Sequence, residues 1–215
     1  MQDWPKLYDA IVGGDDKTAA RITEQSIDAG EDPSALITGT MAPAMAEVGR
    51  LFEIEEYFVP ELLLAGRAMK AGLELLRPLL AASGAEPTGR VVIGTVKGDL
   101  HDIGKNLVAS MMEGAGLEVI DLGVDVPAET FVAAIRERQP QIVGMSALLT
   151  VTMPAIKATI DALVAAGVRD GVKIMIGGAP VSEEYAREVG ADAYGENAAV
   201  AATIAKRLCD EARAA

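Results

Sequence analysis

Beyond residue 89 the sequence changes rhythm. Short apolar runs rich in branched side chains recur at Val91–Val96 (VVIGTV), Leu117–Gly123 (LEVIDLG), Ile142–Leu149 (IVGMSALL) and Val172–Gly178 (VKIMIGG), with a weaker fifth at Ala191–Gly195 (ADAYG). Helical stretches of roughly 10–18 residues lie between them, which is the pattern of β-α-β units. The runs are continuous rather than alternating, so each strand is buried on both faces, as in a parallel sheet covered by helices on either side. Ligands of such sheets bind outside the carboxyl ends of the strands. That rule directs attention to Lys97–Gly104, Gly123–Val126, Ser146–Thr152 and Gly177–Pro180.

The first 82 residues read instead as helices. Leu7, Ile11 and Val12 mark a short first helix. Asp15 or Asp16 caps a second, with Ala19, Ile22 and Ile27 on its inner face. Asp32-Pro33 has the form of a cap followed by proline at the first helical position. Leu36, Ile37, Met41, Met45 and Val48 continue that third helix without interruption. A fourth begins near Pro60 and runs through Leu63, Leu64, Met69, Leu73 and Leu76. Four helices with short loops predict a small bundle. Ser83–Gly89 (SGAEPTG) reads as a linker. The expected organisation is therefore a bundle over 1–82, a linker over 83–89 and an α/β domain over 90–215.

Charge excludes some partners. With 19 basic and 32 acidic residues the chain carries a net charge of −13. A polyanion such as DNA or RNA would be repelled, and no basic stripe offsets this. An anionic membrane surface is disfavoured for the same reason. No apolar run reaches the length of a membrane span, and the N-terminus MQDWPKLYDA lacks the form of a secretory signal. The one cysteine, Cys209, permits no internal disulfide, and a reducing, cytoplasmic setting is expected.

The only histidine, His101, lies in KGDLHDIGKN just after the first predicted strand. A lone histidine is more often structural than a ligand, but this one sits at a strand-to-helix turn on the ligand-binding edge. A bare zinc ion needs three or four protein ligands, and an iron–sulfur cluster needs four thiolates. One histidine suffices when a macrocycle already fills the four equatorial positions, as in haem and in corrinoids. Asp99, two residues earlier, can hydrogen-bond the ring nitrogen that does not face the metal, or serve as a helix cap. Gly98 and Gly104 allow tight turning or the close approach of a bulky group.

These segments resemble the cobalamin-binding domain of methionine synthase and of methyltransferase corrinoid proteins. The family pattern DxHxxG, SxL, GG reads here as DLHDIG (Asp99–Gly104), SAL (Ser146–Leu148) and GG (Gly177–Gly178), with 41 and 28 residues between successive elements. The longer string TVKGDLHDIGKNLV and the upstream LFEIEEYFVPELL (Leu51–Leu63) are similar to the methyltransferase branch. The resemblance implies a helical bundle cap followed by a doubly wound, Rossmann- or flavodoxin-like five-stranded parallel sheet.

It also implies cobalamin or a related corrinoid as cofactor, carried as methylcobalamin when loaded. His101 would be the lower cobalt ligand, Asp99 its hydrogen-bond partner and Thr152 the hydroxyl that completes the relay; Thr for the family's Ser keeps the hydroxyl and adds a methyl. Gly98, Asp102, Ile103 and Gly104 would flank the ligand in its loop. Ser146, Leu148 and Thr150 would line the groove for the nucleotide tail, Gly177 and Gly178 would leave room for it, and Phe52 and Val59 would lie over the upper corrin face. The chain would act as a non-autonomous methyl carrier. Its expected partners are a donor-specific methyltransferase, an acceptor methyltransferase dependent on tetrahydrofolate or a thiol, and a reductive activase. The 83–89 linker is the natural hinge for exposing the cofactor. Alternatives are the cobalamin-binding subunit of a carbon-skeleton mutase, or a corrinoid sensor or storage protein.

Overall fold

In a computed structural model, residues 4–83 and 88–214 are described; part of the predicted linker, 84–87, lies outside them. The chain divides into two compact units, 1–87 with 110–116, and 88–109 with 117–215.

The first unit is built on four helical segments. Helix α1 (Trp4–Val12) buries Leu7 and Ile11. Helix α2 (Asp16–Asp28) starts where the side chain of Asp15 accepts a bond from the Thr18 N–H at 3.0 Å, satisfying one of the free donors of the first turn. Ala19 and Ile22 are buried, as the spacing predicts, whereas Ile27 is half-buried. The third segment departs from expectation. It opens as foreseen, with Asp32 capping Ser34 and Pro33 at the first helical position. After α3 (Pro33–Leu36), however, it widens into a π turn (Ile37–Met41) before α4 (Ala42–Glu53). Pro43 supplies the reason: it has no N–H to give to the carbonyl four residues back, and its ring would collide with that carbonyl. The Ala42 N–H reaches five residues back to Ile37 instead. Helix α5 (Val59–Ser83) buries Leu62, Ala65, Ala68, Met69, Leu73 and Leu76, while Leu63 and Leu64 stay exposed.

The second unit is a five-stranded parallel sheet in the order β2-β1-β3-β4-β5. Its strands are β1 (Arg90–Thr95), β2 (Glu118–Asp121), β3 (Ile142–Ser146), β4 (Lys173–Gly177) and β5 (Ala193–Gly195); each overlaps a predicted run, and β1 starts one residue before its own. Five further helices follow these strands in turn: α6 (Ile103–Gly114), α7 (Ala128–Arg138), α8 (Pro154–Ala165), α9 (Glu183–Val189) and α10 (Ala198–Ala214). Val92, Val143, Met145, Ile174 and Ile176 meet Phe131, Ile156, Ile160 and Leu163 of α7 and α8 in one continuous core. Successive strand residues point to opposite faces, and α10 packs against β3 and β5. From β1 the chain goes to one side for β2 and then crosses to the other for β3. The connections leaving β1 and β3 therefore run to opposite sides of the sheet, and such a switch point is where ligands of open parallel sheets bind.

Among the described residues no helix is long and apolar enough to cross a membrane. Cys209 is fully buried in α10, and burial, with a smaller contribution from Asp210, pushes its thiol up to about 11. A methyl group added at Gly89 would overlap its sulfur. We predict that native protein shows no reaction with a thiol reagent at mild pH and that one thiol appears on denaturation. Gly89→Ala should lower unfolding stability in urea by about 1–3 kcal/mol through overpacking.

Candidate functional site

The loop from β1 to α6 carries His101, and its shape is set from within. Gly98 turns it with φ +85°, a conformation that disfavours any side chain. The Thr95 hydroxyl donates to the His101 carbonyl at 2.9 Å. Asp102 receives the Asn106 amide at 3.1 Å and its carbonyl takes the Asn106 N–H, which starts α6.

Asp99 is the centre of the site. Its carboxylate is fully buried. Oδ1 accepts from the His101 ring Nδ1 at 2.6 Å and from the His101 N–H at 3.1 Å. Oδ2 accepts from the Leu148 N–H at 2.7 Å, the Leu149 N–H at 3.4 Å and the Thr152 hydroxyl at 2.7 Å. The Thr152 oxygen also lies 2.8 Å from the Leu149 carbonyl. A hydroxyl has one proton to give, and the charged carboxylate is the stronger acceptor. Burial alone would raise the Asp99 pKa. The bonds from Thr152, Leu148 and His101 overcome it and hold the carboxyl well below its usual range. An ionised Asp99 requires the proton on Nδ1, which leaves the Nε2 lone pair free on a side chain that is 49% exposed.

The structure thus has Gly98, Asp99, His101 and Asp102 on one loop, Ile103 and Gly104 in the first turn of α6 that follows it, and Leu148 and Thr152 on the loop that meets it. Ser146 ends β3, half-buried, and Thr150 is exposed. Gly177 ends β4 and Gly178 follows it. Their lack of side chains has an internal cause: a Cβ on Gly177 would lie 2.9 Å from the Gly195 carbonyl oxygen, and one on Gly178 would overlap the Ala147 carbonyl. The pair lets neighbouring strand ends close up. Phe52 and Val59 belong to the first unit; Phe52 is half-buried and Val59 exposed, beside exposed Ile54 and Phe58.

Sequence reasoning missed several neighbours. Leu100, Leu149 and Val151 are exposed apolar side chains next to the site, with Val151 80% exposed. The segment Ser146–Thr152 was singled out as an edge of the sheet, but these apolar side chains within and beside it were not assigned a part. Lys105 is buried with its ammonium on Asp121 and 2.7 Å from the Asn106 side-chain oxygen. Nothing in its spacing announces that.

Among the described residues no cluster of three or more His, Cys, Asp or Glu could hold a bare metal ion. One imidazole with its second nitrogen already engaged offers a single coordination bond. That donor set fits a metal whose other positions a macrocycle fills. Thr152→Val should cost about 1.5–3 kcal/mol of stability, the loss of a bond to a buried charge. Thr152→Ser should lose only the methyl's burial, about 1 kcal/mol. Urea unfolding of cofactor-free protein separates the two.

Comparison with known proteins shows the family. Residues 89–203 match the B12 binding domain profile, and residues 5–77 match a second profile of the same description. The chain is 46% identical over 195 residues to trimethylamine corrinoid protein 1 of Methanosarcina acetivorans, covering 90% of each chain. It is 45% identical over 178 residues to dimethylamine corrinoid protein 1 of the same organism, covering 82% of this chain and 84% of that one. A chain of the methanol:cobalamin methyltransferase complex of Methanosarcina barkeri superposes with a TM-score of 0.82 at 34% identity, over 94% of this chain and 78% of that one.

Proposed function

The chain belongs to the corrinoid proteins built on B12 binding domains, and on that premise we propose that it carries methyl groups from one methyltransferase partner to another. The observation that carries the proposal is the His101 imidazole, held through Nδ1 by a buried carboxylate and presenting Nε2 at the switch point of the sheet. A bound corrinoid supplies a cobalt that can take up and give up a methyl group.

This chain's residues do the rest. His101 offers the Nε2 lone pair as the lower ligand. Asp99, kept ionised, holds the proton on Nδ1 and does not take it over. Were a corrinoid bound, His101 would hold its cobalt through Nε2, and the carboxylate would keep the imidazole in that tautomer and orientation. Thr152 and the Leu148 N–H hold the carboxylate in place throughout. Ser146, Leu148 and Thr150 would border the nucleotide tail of a bound corrinoid, and Gly177 and Gly178 would offer it only backbone.

Partners supply specificity. Relatives named for two different methylamines match at nearly equal identity, so the carrier does not sort donors; a donor-specific methyltransferase does. A second methyltransferase, serving tetrahydrofolate or a thiol, takes the group away, and a reductive activase completes the set. The excess of acidic residues suits basic docking faces, and the single buried cysteine accords with a cytoplasmic setting.

The test is a visible spectrum after reconstitution with methylcobalamin. Wild type should show histidine ligation and His101→Ala should lose it. Asp99→Asn should cut methyl transfer by about 10–100-fold, the usual cost of removing a ligand's hydrogen-bond partner. Matching spectra for wild type and His101→Ala would discard the ligand assignment, and unchanged transfer in Asp99→Asn would discard the role of the carboxylate.

A further inference from the structure

We propose that Asp125 is a positioning residue for His101, clamping the turn that leads to it. The inference rests on the reading of His101 as the cobalt ligand.

Asp125 lies in the loop between β2 and α7 with φ +54°, in the left-handed region. Of the other two described non-glycine residues with positive φ, Gln139 caps α7 and Glu55 follows α4. Asp125 is at no helix end. A side chain persists in that region only when its surroundings over-determine it, and here they do. Its Oδ1 accepts from the Gly98 N–H at 2.7 Å, its Oδ2 accepts from the Lys97 ammonium at 2.9 Å, and its own N–H donates to the Asp99 carbonyl at 2.9 Å. Three bonds thus reach three consecutive residues, the last of which carries the carboxylate that holds the imidazole.

The clamp is itself anchored. Val126, the next residue, donates its N–H to the Thr95 carbonyl at 3.0 Å and pairs with Val96 as an added rung of the sheet. Asp125 is therefore fixed to the scaffold, and the loop is fixed to Asp125. Lys97 is 62% exposed at its side chain, so its ion pair contributes little. The bonds to the Gly98 and Asp99 main chain carry the effect.

His101 is the only histidine, so labelling histidine nitrogen isotopically reports on it alone. In wild-type protein loaded with cob(II)alamin, the electron paramagnetic resonance spectrum should show splitting from that nitrogen. Asp125→Ala should keep the cofactor and lower the ratio of ligated to unligated cobalt by about tenfold, the worth of one charge-assisted bond. Asp125→Asn, which keeps an acceptor for Gly98 and tolerates left-handed backbone, should restore most of it. If Asp125→Ala does not fold, Asp125→Gly removes the same acceptors without backbone strain and carries the same expectation. An unchanged ratio in the Ala or Gly variant, or an Asn variant as impaired as Ala, overturns the clamp while leaving the ligand assignment intact. Absence of histidine splitting in wild type overturns both.

Discussion

A carboxylate shut away from water is tolerable only when hydrogen bonds replace its hydration. Asp99 meets that condition with donors drawn from its own loop and from a loop 49 to 53 residues further along the chain. Those donors can converge only because β1 and β3 are neighbours in register, Thr95 beside Ser146. The strand order is thus a precondition for satisfying one buried charge, and the turn after β3, the tautomer of the imidazole and the direction of its free lone pair follow from it.

The strands were legible because unbroken runs such as VVIGTV and VKIMIG are what a sheet buried on both faces requires. The three-residue β5 gave a weaker trace because so short a strand buries little. Asp99 and His101 were legible through a pattern of residue types at fixed spacing and Thr152 through the resemblance to methionine synthase, and the structure brings the three within hydrogen-bond reach. What the sequence did not disclose depends on long-range approach. Asp125 acts on Gly98 from 27 residues away, and Lys105 meets Asp121 from 16; neither distance leaves a local signature. The Gly177–Gly178 pair was noticed, but the carbonyls that fill the space of its missing side chains come from Ala147 and Gly195, which only the folded sheet brings near.

A carrier of this kind contributes little chemistry of its own. On the proposed reading its part is one ligand atom, held by a buried carboxylate, and a surface that other proteins can read. Relatives named for trimethylamine and for dimethylamine are similar to this chain at 46% and 45% identity, as that division of labour requires.

The wide turn at Ile37–Met41 bears on how the helical unit tolerates change in length. Leu36 and Met41 are both buried, yet five residues apart they would lie on different faces of a regular α-helix. A π turn accommodates one residue more than an α-helical turn, so the segment behaves as an insertion absorbed without breaking the helix. Deletion of one residue within the wide turn is correspondingly tolerated: four residues of regular α-helix turn through about the same angle as the five that widen it, so Met45 and Val48 would keep facing the interior, whereas the same deletion inside α4 would rotate the residues beyond it by roughly 100°.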